Sequence, residues 1–136
     1  MQQNEKGKTM KKEKFHIEYI FDQVSRRCLW NQLTTSVGLS AWFADDVIIK
    51  DNKYTFKWDK VSQEAYVIDA KPEEHIRFHW VDDNDEKSYI EFIIHRTELT
   101  GLTSLEITDF AEPGEKSDSI DLWDSQMEDL KRALGL

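Results

Sequence analysis

The sequence is poor in the residues that most often announce a chemical role. Cys28 is the single cysteine among 136 residues. It can form no internal disulfide, and no histidine or carboxylate partners at closed-zinc spacing accompany it. Its place in the pattern reads as a small hydrophobe on the buried stripe of a helix. Glycine is scarce, five in all, and none falls in a GxGxxG or GxxxxGK pattern, which excludes the loops that cradle phosphates. Positive charge is in deficit. Eighteen Lys and Arg stand against 27 Asp and Glu, a net charge of -9, and that balance disfavours binding to a phosphate backbone. Every apolar run is far shorter than the ~20 residues of a membrane-spanning helix. The opening MQQNEKGKTMKKEK has lysines but no apolar segment behind them, unlike a secretory signal. The expectation is a cytoplasmic protein that neither enters a membrane nor binds nucleic acid.

What is present is apolar and aromatic. Hydrophobic residues make up 39% and aromatic residues 12% of the chain, enough for one domain with a substantial core. Residues 1–12 have nothing to bury and are expected to be a disordered extension, leaving 13–136 as the folded domain. Alternation in KFHIEYIF puts Phe15, Ile17, Tyr19 and Phe21 on one face of a first strand. Asp22 or Ser25 can cap a following helix with Val24, Cys28, Leu29 and Leu33 as its buried stripe. Ser36 can cap a second, short helix carrying Leu39, Trp42 and Phe43 at i, i+3 and i+4, although Gly38 weakens it in isolation.

From Val47 the period changes to two. VIIKDNKYTFKW reads as a hairpin turning at Asp51–Asn52, with Tyr54, Phe56 and Trp58 on one face. A strand over Glu64–Ala70 follows. In HIRFHWVD, Ile76, Phe78 and Trp80 oppose His75, Arg77 and His79; in SYIEFIIH, Ile90, Phe92 and Ile94 face the core while Tyr89, Glu91, Ile93 and His95 are the more exposed set. A last strand carries Leu105 and Ile107. The final helix has the firmest pattern, with Ile120, Trp123, Met127, Leu130 and Leu134 alternating at spacings of three and four. Ser117 or Ser119 is its expected cap, and Gly135 its left-handed stop. The terminal helix is the only element long enough to cover such a sheet, which needs one face buried. The predicted class is α+β, a helix-grip fold: about six or seven antiparallel strands around a long C-terminal helix, with two short helices after the first strand.

No residue is assigned to catalysis, a metal or a cofactor. DDNDEK lacks the glycine and the twelfth-position acid of a calcium loop and reads as a hairpin turn. Asp45–Asp46 reads as a capping or surface pair, and His16, His75, His79 and His95 lie on outer strand faces. Ser36 and Ser40 have no base and orienting group at local spacing. Acid–base chemistry would need an ionisable group turned into the core, and Glu64 and Asp69 are the carboxylates whose facing is least settled. The aromatic inventory is compatible with a solid core or with a core enclosing a pocket.

A family resemblance bears on that choice. LWNQLTTSVGLSAWFADD and the terminal LWDSQMEDLKRAL resemble the START-like branch of the SRPBCC, or birch-pollen-allergen-like, superfamily. Within it the chain is similar to small bacterial proteins related to the activator of the ninety-kilodalton heat-shock chaperone. Trp30, Leu33 and Thr34 match a W-x-x-L-T segment ending the first helix, and Leu39, Trp42 and Phe43 match L-x-x-W-F in the second. The resemblance spans about Phe15 to Leu134 and implies a hydrophobic cavity between sheet and C-terminal helix. Its implied lining is Phe56, Phe78, Trp80, Phe92, Trp123 and Met127, with Trp42 and Phe43 near the mouth. The implied function is binding of a small lipid-like or aromatic molecule without catalysis. The alternatives are a protein-binding or co-chaperone-like module, homodimeric or with another partner, and a small enzyme acting on an apolar substrate in the same cavity.

Overall fold

Stretches of period two become strands and stretches of period 3.6 become helices in the computed structural model, which describes residues 12–136. The order is β1 (Glu13–Ile20), α1 (Arg26–Thr34), α2 (Ser36–Trp42), β2 (Asp46–Lys50), β3 (Lys53–Trp58), β4 (Val61–Lys71), β5 (His75–Trp80), β6 (Ile90–Arg96), β7 (Thr103–Ala111) and α3 (Lys116–Ala133). Seven strands form one antiparallel sheet in the order β1-β7-β6-β5-β4-β3-β2. This is the α+β helix-grip arrangement, a curved sheet wrapped around α3 with the two short helices after β1. The expected extension lies outside the described residues except for Lys12, whose ammonium pairs with Asp83 at 2.6 Å.

Hairpin turns follow from aspartates that tolerate positive φ. Asp51 at φ 57 closes β2 on β3 with Lys50 opposite Lys53, and Asp59 at φ 38 closes β3 on β4 with Trp58 opposite Val61. In β4 the register slips between Val67 and Asp69. The bulge leaves Ile68 unpaired and places Asp69 opposite Arg77 on the outer face. Glu64 lies opposite Thr55, also outside, and pairs with Lys53 at 3.3 Å. Neither uncertain carboxylate points inward.

The core is the concave face. Phe15, Tyr54, Phe56, Ala65, Ile76, Phe78, Ile90, Phe92, Ile94, Leu105 and Ile107 are buried there, against Leu29 and Leu33 of α1, Leu39 and Trp42 of α2, and Trp123, Met127 and Leu130 of α3. Several local expectations need correction. Cys28 is exposed, because α1 begins only at Arg26 and its inward phase is set by Leu29 and Leu33. Thr35, not Ser36, caps α2 by accepting the Gly38 amide at 2.9 Å, while the Ser36 hydroxyl donates to the Val47 carbonyl. At the start of α3 the cap position is Glu115, and Ser117 and Ser119 fall within the first turn. Glu91 is only 7% exposed. Arg77 shields it, pairing with its carboxylate at 3.1 Å while lying 4.0 Å from the Tyr89 ring.

Candidate functional site

The opening of the grip lies where the last turn of α2, the ends of β3, β5 and β7, and the outer half of α3 converge. The two short helices set its back wall. The Trp42 indole donates to the Gln32 carbonyl of α1 at 2.8 Å, and the Trp58 indole donates to the Phe43 carbonyl at 2.8 Å. Each indole thus finds an acceptor and ties two elements together. Phe43 lies nearly parallel to Trp123 at 6.1 Å and edge-on to Trp58 at 5.7 Å.

These rings bound a cleft of about 1600 Å³, open on one side. Trp42, Phe43, Trp58, Trp80, Leu122 and Trp123 form its apolar walls. Leu122 sits on α3 with 61% of its surface exposed among the described residues. The structure therefore brings four of the eight expected lining residues to the cleft: Trp42, Phe43, Trp80 and Trp123. Phe56, Phe78, Phe92 and Met127 lie in the layer beneath it, all buried. Phe56 supports Phe43 at 5.1 Å and Trp80 at 5.5 Å, and Phe92 meets Trp42 and Trp123 edge-on at 6.0 Å each.

One ionisable group turned into this region was not identified from the sequence. Asp109 continues the inward set of β7 after Leu105 and Ile107 and lines the cleft. Its carboxylate accepts the Trp123 indole N–H at 2.9 Å and the Phe110 amide at 2.7 Å. Burial pushes its pKa above the ordinary carboxylate range. The two hydrogen bonds and the charge of Lys12 oppose the rise, and Asp83 adds to it. Both donors are neutral groups. The signal that could have found it is the alternation of TSLEITDFA, which puts Asp109 in phase with Leu105 and Ile107.

The four histidines have ordinary partners on the outer face or its edge. His16 meets the Thr108 hydroxyl, His75 meets Asp69, His79 meets the Ser88 carbonyl and His95 meets Glu106. Among the described residues, no three of His, Cys, Asp and Glu stand together as metal ligands.

Asp109 makes stability depend on pH in a known direction. Its pKa is raised on folding, so the folded state holds the proton more tightly than the unfolded chain. Its contribution is therefore lost as pH rises from the ordinary carboxylate range through the raised value. Asp109→Asn removes the charge but leaves one oxygen for two donors, since Phe110 and Trp123 donate to different carboxylate oxygens. The variant is expected to lose one hydrogen bond at every pH, while its melting temperature relative to the parent's rises from acid toward neutral pH. Parallel calorimetry across that range checks this; a difference that stays constant or falls toward neutral pH contradicts it.

Known structures have the same architecture. A protein from Bacteroides fragilis, solved by NMR in solution, is 43% identical, with 91% of this chain and 92% of that one covered at a TM-score of 0.67. The Aha1 dimer from Colwellia psychrerythraea is 18% identical over 90% of this chain and 96% of that one, with a TM-score of 0.76. A protein from Mesorhizobium loti is 18% identical over 90% and 97%, with a TM-score of 0.70. The last two likenesses are of fold. No curated protein matches the chain. No helix among the described residues is long and apolar enough to cross a membrane. A model of the START-like superfamily domain matches residues 9–136, and with the Bacteroides fragilis relative it establishes that the chain belongs to the START-like superfamily.

Proposed function

We propose that this domain binds a small hydrophobic molecule, without a chemical step, in the cleft between the rim of the sheet and α3. The observation that carries the proposal is the aromatic-walled cleft at which Leu122 remains exposed. Concave apolar surface with a few converging polar groups is the usual form of a small-molecule site. Covering it gives roughly 25 cal/mol per Å² before the cost of association. Trp42, Phe43, Trp58, Trp80, Leu122 and Trp123 are the contact wall. Phe56, Phe78, Phe92 and Met127 form the layer that supports this wall.

Decanol is expected to raise the melting temperature in proportion to the logarithm of its concentration above its dissociation constant. Native mass spectrometry should detect a one-to-one complex. A melting temperature indifferent to decanol, 1-naphthol and cholesterol alike contradicts the proposal.

A second reading, self-association, draws on the dimer formed by the Colwellia psychrerythraea relative. Sedimentation velocity separates the two, since a 16.1 kDa species at every concentration removes the homodimer and leaves the cleft untouched.

A further inference from the structure

Charge around the cleft is one-sided. Eight carboxylate side chains and two lysines line it. Some of those carboxylates are already engaged: Asp83 by Lys12 and Ser88, Asp45 by the Asp59 amide, Asp129 by Arg132. Asp82, Glu86 and Glu112 have no side-chain hydrogen bond among the described residues. Asp109 is a part-buried member of the set, and among the described residues it receives only an indole and a backbone amide. The nearby lysine that could neutralise it, Lys12, is held instead by Asp83 at 2.6 Å. Within the same cleft stand four indoles, and tryptophan ring faces attract cations. A part-buried carboxylate that no cationic side chain among the described residues bonds, next to such rings, is complementary to one charge type.

Resting on the cleft reading above, we propose that the ligand class is an organic cation. It is an amine or quaternary ammonium on an aliphatic or aromatic body, with its charged end beside Asp109 and its body against Trp42, Trp58, Trp80 and Trp123. Several contributions act in the same direction. An ammonium supplies Asp109 with the opposite charge that the fold withholds, and in a partly dehydrated cleft this attraction exceeds its value in water. The ring faces stabilise the same charge. The rim carboxylates raise the local concentration of cations and slow the entry of anions. A fatty-acid carboxylate of equal length gains the same apolar burial but meets like charge throughout, so the cleft discriminates by repulsion as well as attraction.

Decylamine, decanol and decanoate share a chain length and differ in head-group charge. Titrated below their micelle-forming concentrations at neutral pH and low salt, they should bind in that order, with decylamine at least about tenfold tighter than decanoate. The preference should narrow at ~150 mM salt, where exposed charges are screened. Ethylamine, which has the charge without the body, should leave the indole resonances of the cleft unmoved. In Asp109→Asn, decylamine should weaken while decanol, which also reports that the variant is folded, stays as in the parent. Decanol or decanoate binding as tightly as decylamine, or an unchanged preference in Asp109→Asn, overturns the cationic assignment and leaves the apolar cleft standing. Ethylamine binding as tightly as decylamine overturns the assignment of an aliphatic or aromatic body, because the charge would then bind without it. Failure of all three ten-carbon ligands removes the cleft reading itself.

Discussion

Gly38→Ala is expected to destabilise the domain by about 3 kcal/mol or more, the upper end of what overpacking usually costs. A β-carbon at this position would lie 2.2 Å from the Asn31 carbonyl oxygen and 2.6 Å from the Gln32 α-carbon. Both obstacles are backbone of α1, so no side chain can swing aside. Relief requires α2 to move away from α1. That movement breaks the Trp42 indole bond to Gln32 and disturbs the Thr35 cap. The sign is diagnostic, because glycine to alanine inside an unhindered helix stabilises by about 1 kcal/mol. Urea denaturation measures the difference, and a melting temperature equal to or above the parent's contradicts the close helix–helix approach. Since α2 also presents Trp42 and Phe43, any surviving folded Gly38→Ala protein should bind decanol more weakly.

Trp123→Ala should be comparably severe. Truncating a buried tryptophan typically costs ~3–5 kcal/mol, a large share of the ~5–15 kcal/mol that holds a domain together. Trp123 is 4% exposed, stacks on Phe43, meets Phe92 edge-on and supplies one of the two hydrogen bonds to Asp109. Its loss leaves a void and a buried carboxylate with one donor fewer. Trp123→Phe separates these effects. It retains an aromatic side chain beside Phe43 and Phe92 but removes the indole N–H, so circular dichroism should be preserved and the melting temperature should fall modestly. Ligand affinity should change as well. An alanine variant as stable as the parent contradicts the packing described for α3, whereas unchanged affinity in the phenylalanine variant removes Trp123 from the cleft wall.

Legibility in the sequence followed the range of the interactions involved. The α3 stripe from Ile120 to Leu134 repeats over several turns, so its phase could be read without knowing what it packs against. The hairpin at Asp51–Asn52 was equally local. The first helix was harder, because Val24 lies before its start and assigning it to the helical stripe drew Cys28 inward as well. The caps of α2 and α3 turned on which of two adjacent polar residues was in place, a distinction that composition does not encode. Strand phase and the mixed polarity of Tyr89, Glu91, Ile93 and His95 predict an exposed Glu91; its burial depends on Arg77, fourteen residues away and on the neighbouring strand. Of the aromatic residues that bound the cleft, Trp42, Phe43, Trp80 and Trp123 are among those expected from the sequence and Trp58 is not, and the division into a cleft wall and a buried layer is not legible there. That division is set where β3, β5, β7, α2 and α3 meet, and no local spacing records it. Asp109 was within reach through strand phase, yet its significance comes from Trp123, fourteen residues on in a different element.

The most direct test of the cleft as the binding site uses the chain's five tryptophans. Trp42, Trp58, Trp80 and Trp123 line the cleft, whereas Trp30 of α1 does not. Nitrogen–proton correlation spectra resolve the five indole N–H groups, and decanol can be added stepwise. Binding in the cleft predicts that the four cleft resonances shift together along one saturable curve while Trp30 stays in place. Four stationary cleft resonances, or a Trp30 shift as large as theirs, would contradict it.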